Sequence, residues 1–138
     1  MNPNLAQTVR DRAGDICEYC LMPQKAKRLK FQIDHIVAKQ HGGSDSSDNL
    51  SLACGRCNRY KGPNIGSIDP LTKQRIELFN PRQDKWENHF RFEGPKIAGL
   101  TPVGRATVEL LFMNHPDEIA VRSELIQNGW RLEQVPRS

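Results

Sequence analysis

The chain has 138 residues, of which 37% are hydrophobic and 26% are charged, and its formal net charge is +4. This balance is typical of a globular protein and excludes a disordered chain. No apolar run approaches the roughly 20 residues that span a bilayer, and the opening MNPNLAQTVRDRAG lacks the apolar stretch of a signal peptide. These features predict a cytoplasmic protein without a membrane partner, in which cysteines stay reduced.

The first half of the chain combines helix signals with two short strand-like runs around a polar loop. Asn2 is a suitable cap for a first helix, and Gly14 is a suitable stop. The loop is dense in Gly, Ser and Asp, and Gly62-Pro63 ends the unit. The predicted elements are, in chain order, a helix over 3–12, a strand over 29–37, a loop over 40–48, a strand over 49–53 and a helix starting within 54–61.

The second half predicts elements that support this unit. Residues 69–78 have the amphipathic pattern of a helix, and residues 86–92 alternate like a strand. Pro102 and Pro116 each open a helix, which we expect to end near Asn114 and Gly129 respectively. The sequence therefore predicts an α+β fold in a single domain over 1–138, with a core motif over 12–62 and a supporting extension over 63–138.

Four cysteines form the strongest signal in the chain. They are arranged as C-x2-C, a spacer of 33 residues, and a second C-x2-C. Two such pairs can close a tetrahedral sulfur site, which predicts a structural zinc ion with no open position for water. A redox motif and a pair of disulfides are the alternatives, but the first needs only one C-x-x-C and the second needs an oxidising compartment. The predicted ligands are Cys17, Cys20, Cys54 and Cys57.

Polar residues that together could hold a hard cation and activate a water molecule lie inside and just after this spacer. Asp34 and His35 are adjacent, Asn49 follows later in the spacer, and Asn58 comes directly after the last cysteine. Carboxylate and amide oxygens are the ligands that Mg²⁺ or Mn²⁺ prefers. A histidine can accept a proton from water near neutral pH.

The string CEYC…DHIVAKQHGGSDSSDNLSLACGRCNRYKG resembles the HNH endonuclease family, in the subgroup whose ββα-metal core is clamped by a four-cysteine zinc. The resemblance covers 12–62 and implies a small core with flanking helices. It also implies a metal-dependent endonuclease that hydrolyses DNA. The last motif position is Asn58 rather than histidine, so the chain is an H-N-N variant. This favours Mg²⁺ or Mn²⁺ over softer metals.

The resemblance also implies a role for each motif residue. His35 matches the general base, and Asn49 matches the residue that orders the loop and holds that base. Asp34 and Asn58 match the ligands of the catalytic divalent ion. The residues expected to meet DNA phosphates are Arg56, Arg59, Lys61 and Lys39.

One geometric requirement follows from these roles. In a regular strand Asp34 and His35 point to opposite faces, so we expect irregular backbone there if both serve one site. The motif assigns no role to two further histidines. His41 is predicted on the loop surface, and His89 is predicted to be packed or exposed, with an approach to the site from outside the core motif as the alternative.

Positive charge is concentrated in residues 21–62, where eight Lys and Arg stand against three acids, a net charge of +5. This excess suits DNA, although a solvated basic face has the same composition. Two other functional hypotheses therefore stay open. One is a zinc-dependent nucleic-acid-binding module without chemistry, and the other is an interaction module within a phage or bacterial DNA-processing assembly.

Overall fold

The computed structural model describes residues 2–131. The first helix, α1 (Pro3–Ala13), begins where the side chain of Asn2 accepts a hydrogen bond from the backbone N–H of Asn4 at 2.8 Å. It ends at Gly14, whose φ of 64° favours glycine. Both ends lie where the sequence predicts them.

A ββα unit follows α1. Strands β1 (Gln32–His35) and β2 (Leu50–Ala53) pair antiparallel, and helix α2 (Gly55–Lys61) follows β2 directly. Cys54 caps α2, since its Sγ accepts from the backbone N–H of Cys57 at 3.4 Å. The unit confirms the predicted α+β fold with a small ββα core.

Strand β1 is regular through the two adjacent motif residues. Asp34 pairs with Ser51 and His35 pairs with Leu50 in the antiparallel register. The expectation of irregular backbone at this point is wrong, because strand pairing continues without a bulge to His35. The two side chains therefore lie on opposite faces of β1.

A β-hairpin follows the ββα unit, where the sequence predicts a helix over 69–78. Strands β3 (Gly66–Ile68) and β4 (Arg75–Glu77) pair antiparallel, and the turn between them begins at Asp69-Pro70. The helix prediction is wrong for a local reason: Asp-Pro initiates turns, and the residue before proline avoids helical conformation.

The segment after the hairpin is only partly a strand. Trp86–His89 form a single helical turn, α3, and β5 (Phe90–Glu93) then pairs with β6 (Lys96–Gly99). The strand prediction over 86–92 is wrong in its first half. Trp86 is buried there and donates its indole N–H to the carbonyl of Tyr19 at 2.7 Å, so a tertiary contact outweighs the alternating pattern.

Two helices complete the described chain, α4 (Pro102–Leu110) and α5 (Pro116–Gln127). Each has its proline in the first turn, and the side chains of Thr101 and His115 cap them. Buried hydrophobic side chains from Val9 to Met113 form a continuous core. Among residues 2–131, no helix combines the length and apolar character that a membrane crossing requires.

Candidate active site and zinc centre

The four cysteine sulfurs converge on one buried point. Their Sγ atoms all lie within 4.8 Å of one another, and those of Cys20 and Cys54 are 3.8 Å apart. A tetrahedral site with Zn–S bonds of about 2.3 Å requires S···S separations of about 3.8 Å, whereas a disulfide bond measures about 2.05 Å. The donor set and its spacing therefore fit a zinc ion held by four thiolates.

Backbone hydrogen bonds fix the conformation of the first cysteine pair, Cys17 and Cys20. The N–H of Cys17 donates to the carbonyl of Met22 at 2.9 Å, and the N–H of Leu21 donates to the carbonyl of Cys17 at 2.8 Å. Glu18 is tied to β2 through its N–H and the carbonyl of Leu52 at 2.8 Å. The first pair is thus fixed against the strand that leads to the second pair.

Asp34 lies in the interior and its carboxylate already has partners. The residue is 5% exposed; its Oδ2 accepts from the Tyr19 hydroxyl at 2.8 Å and lies 3.2 Å from the ammonium of Lys61. The Lys61 ammonium also donates to the carbonyl of His35 at 3.1 Å. Burial raises the pKa of Asp34 above its ordinary value, and Lys61 and Tyr19 oppose that shift.

This arrangement does not fit a divalent ion at Asp34 and Asn58. The chemistry of the two side chains is suitable, but the Asp34 carboxylate is occupied by an internal cation. The amide of Asn58 donates to the side chain of Gln32, which precedes Asp34 by two residues and lies on the same face of β1. The side chains of Asn58 and Lys61 are therefore both already hydrogen-bonded to β1.

His35 lies on the other face of β1 and remains accessible. Its side chain is 23% exposed, and its Nε2 is 2.8 Å from Oδ1 of Asp45 in the following loop. Asp45 also lies 3.2 Å from the ammonium of Lys39. The hydrogen bond from His35, followed by that from Lys39, lowers the pKa of Asp45. Asp45 is therefore a carboxylate that orients the imidazole.

Asn49 fastens the loop that carries Asp45. Its side-chain oxygen accepts from the N–H of Val37 at 2.9 Å, and its side-chain nitrogen donates to the carbonyls of Val37 at 2.9 Å and Ser44 at 2.8 Å. A Cβ at Gly43 would lie 1.7 Å from the Val37 oxygen, so only glycine permits this close approach. Asn49 thus joins the two ends of the loop beside His35.

The basic residues expected to meet DNA have different environments. Lys61 is 1% exposed and paired with Asp34, so the prediction that it contacts phosphate is not compatible with its position. Arg56 is turned to α5, where its Nε donates to Glu118 at 2.9 Å. Arg59 is exposed on α2, and the Lys39 side chain is 66% exposed beside Asp45.

His41 and His89 have the surroundings that the sequence predicts. His41 is exposed in the loop. His89 is half-buried, and its Nδ1 is 2.6 Å from the hydroxyl of Thr101. Neither belongs to the group of side chains around His35.

Three features of the site could not be predicted from the sequence. These are the hydrogen bond from Tyr19 to Asp34, the contact of Asp45 with His35, and the buried ion pair of Lys61 with Asp34. Tyr19 lies inside CEYC, where its distance of 15 residues from Asp34 conceals the contact. Asp45 lies in the polar loop, whose composition resembles that of any surface loop. One indication was present in the sequence: a zinc ion that joins the two cysteine pairs brings CEYC close to the segment between them.

The comparison with known families points to the same part of the chain. Residues 17–64 match the family model described as HNH endonuclease. This segment contains the four cysteines, β1, β2 and α2, so the ββα unit has the composition and arrangement of an HNH ββα-metal fold. The match indicates nuclease-type activity for this segment.

A curated relative extends over more of the chain. It is the Septu protein PtuB of Bacillus thuringiensis, which is 23% identical over 131 residues. That alignment covers 90% of this chain and 46% of the relative, so the chain spans about half the relative's length. No solved structure matches the chain significantly.

Proposed function

We propose that this chain is an HNH-type endonuclease that hydrolyses phosphodiester bonds in DNA. The observation that carries the proposal is an accessible histidine, His35, oriented by Asp45 at 2.8 Å within the segment that matches the HNH model. A histidine held by a carboxylate at the end of a rigid element suits a general base.

The proposed chemical step uses both imidazole nitrogens. In the neutral ring, Nε2–H donates to Asp45, which leaves the Nδ1 lone pair to accept a proton. Nδ1 takes that proton from a water molecule as the water oxygen forms a bond to phosphorus. The bond from phosphorus to the 3′-oxygen breaks in line with this attack, and the 3′-oxygen leaves as an alkoxide that takes a proton from solvent. The product ends are a 5′-phosphate and a 3′-hydroxyl, and the imidazolium of His35 returns its proton to solvent.

Zinc at the four cysteines would hold the fold rather than act on the substrate, because four protein ligands leave no open position. A catalytic Mg²⁺ or Mn²⁺ at Asp34 and Asn58 stays a prediction from the sequence.

Exposed basic side chains in the segment that matches the HNH model support DNA as the substrate. The Lys39 ammonium lies 3.2 Å from Asp45 in the loop after β1, and Arg59 is exposed on α2. Both can meet phosphates, which would position the backbone without specifying a base sequence.

A second candidate function is a zinc-dependent nucleic-acid-binding module without chemistry. The buried ion pair between Asp34 and Lys61 favours it, since this carboxylate is not free to bind a metal. Such a module would not need His35.

The test is cleavage of supercoiled plasmid by zinc-loaded protein with Mg²⁺ or Mn²⁺. We expect wild type to produce nicked or linear DNA and His35→Ala to lose about 100-fold or more of the rate, the usual contribution of a general base. His41→Ala is the matched control, since it removes an exposed histidine from the adjoining loop.

His41→Ala should cut at the wild-type rate. If wild type and both variants shift DNA on a gel and none of them cuts, the binding module is correct. If His35→Ala cuts as fast as wild type, His35 is not the base.

A further inference from the structure

Lys61 presents a cation to the interior of the ββα unit. It is the last residue of α2, is 1% exposed, and its ammonium lies 3.2 Å from Oδ2 of Asp34. Lysine is almost never fully buried without a partner. Its second hydrogen bond, to the carbonyl of His35 at 3.1 Å, fixes the ammonium at the end of β1.

The carboxylate of Asp34 has little capacity left for another cation. Oδ2 accepts from Tyr19 at 2.8 Å and faces Lys61, while Oδ1 lies 3.5 Å from the same ammonium. A Mg²⁺ ion bound to this carboxylate would approach its oxygen to about 2.1 Å. Two cations at one buried carboxylate repel each other strongly, because the surroundings screen charge poorly.

Asn58, the α2 residue expected to bind the metal, also has a partner on β1. Asn58 precedes Lys61 by three residues, so both project from the same side of α2 toward β1. The Asn58 amide is engaged by Gln32 on that strand. Metal binding would therefore require two existing contacts between α2 and β1 to rearrange.

We propose that the Lys61 ammonium is the resident counter-ion of Asp34 and that it competes with a divalent ion for this carboxylate. An ion reaches Asp34 only when the ammonium leaves. Lys61 is then a positioning residue that links metal occupancy to the packing of α2 on β1. The inference concerns the site of the proposed nuclease function, but it is tested without DNA, so the two can fail separately.

The test is Mn²⁺ binding to zinc-loaded protein, measured by the electron paramagnetic resonance signal of free Mn²⁺. We expect Lys61→Met to bind Mn²⁺ at least tenfold more tightly than wild type. Adding Asp34→Asn to Lys61→Met should remove that gain. Lys30→Met, which removes an exposed lysine, should bind as wild type does. The proposal is overturned if folded Lys61→Met binds Mn²⁺ no more tightly than wild type.

Lys61→Met leaves a buried carboxylate without its partner, so folding must be checked by circular dichroism and zinc content. If this variant does not fold, a Mg²⁺ titration of wild type followed by NMR decides. We expect the side-chain carbons of Lys61 and the carboxyl carbon of Asp34 to shift together with one binding constant. A shift at Asp34 with Lys61 unchanged would overturn the proposal.

Discussion

Among single residues, Asp45 has the most specific role that the structure adds to the HNH motif. It accepts from Nε2 of His35 and is 57% exposed, so solvent weakens the interaction without removing its directional effect. We predict that Asp45→Asn lowers the turnover number about tenfold or more and leaves KM nearly unchanged, because the imidazole loses its orientation. Steady-state cleavage of a labelled duplex measures both constants.

Asp48→Asn is the control for this change, since it makes the same substitution at an exposed position of the same loop. It should retain the wild-type turnover number. A loss confined to KM in Asp45→Asn would contradict the positioning role and indicate a substrate contact instead.

Tyr19 links the zinc centre to the interior of the ββα unit. Its hydroxyl donates to Asp34 at 2.8 Å and accepts from Ser51 at 3.3 Å. We predict that Tyr19→Phe lowers the free energy of unfolding by about 1–3 kcal/mol, because Asp34 and Ser51 each lose a buried partner. Chemical denaturation of zinc-loaded protein measures this difference, and an unchanged midpoint would contradict it.

At the scale of elements, the β3–β4 hairpin is fastened to α4 through one buried carboxylate. Nε and Nη2 of Arg105 each donate to Asp69 at 2.9 Å, and the N–H of Leu71 and the hydroxyl of Thr72 donate at 3.0 Å. Arg105 holds the pKa of Asp69 below its ordinary value. The ionised form is therefore favoured by folding.

The sign of the pH dependence follows from that lowered pKa. The stabilisation of the fold by ionised Asp69 is fully present above the pKa of an unfolded aspartate, about 3.9. It is lost as the pH falls toward the lower pKa of Asp69 in the folded state. We predict that Asp69→Asn is less stable than wild type at pH 7 and loses less stability between pH ~5 and ~3. Thermal unfolding across this pH range measures both effects.

Asp15→Asn is a suitable control for the acid response. Asp15 is exposed and has a φ of 56°, a conformation that asparagine also tolerates. Its pH profile should parallel that of wild type. An Asp69→Asn profile that also parallels wild type would contradict the role of the Arg105 contact.

The sequence predicted those elements whose limits are set locally. The cap at Asn2, the stop at Gly14 and the cap at Thr101 act within a few residues, and the structure confirms them. The hairpin turn at Asp69 was also local, but an amphipathic pattern concealed it. The helical turn at Trp86 could not be predicted, because it depends on a hydrogen bond to a residue 67 positions away.

The candidate site likewise has one part that is determined locally and one part that depends on distant contacts. The zinc ligands could be identified because C-x2-C spacing carries the geometry of the site within it. The partners of Asp34 could not, since Tyr19 and Lys61 reach it from other elements. The contacts of Asp34 therefore could not be predicted from the sequence.

For the whole molecule, the buried guanidinium of Arg122 fastens α5 to two other parts of the chain and lies within the electrostatic influence of the cysteine cluster. Its guanidinium is buried and donates to the carbonyls of Pro95 and Met113, each at 2.6 Å. Burial lowers the pKa of Arg122, while the nearby charges of Cys20, Glu118 and other cysteines oppose that shift. A zinc ion with four thiolates carries two negative charges, which this guanidinium would partly offset.

We predict that Arg122→Met lowers the free energy of unfolding by about 2–4 kcal/mol and speeds the loss of zinc to a chelator. Two buried carbonyls lose their donor and the sulfur site loses a nearby cation. Arg75→Met, on the exposed strand β4, is the control and should release zinc at the wild-type rate. If wild type, Arg122→Met and Arg75→Met release zinc at equal rates, Arg122 does not help to retain the ion.

We propose that this fold hydrolyses a phosphodiester with water activated at His35. Cleavage of DNA in ¹⁸O-water, followed by mass spectrometry of the product ends, tests this proposal directly. We predict 5′-phosphate ends that each carry one ¹⁸O atom, formed about 100-fold or more faster by wild type than by His35→Ala. Ends with a 3′-phosphate, or 5′-phosphates without the label, would contradict it.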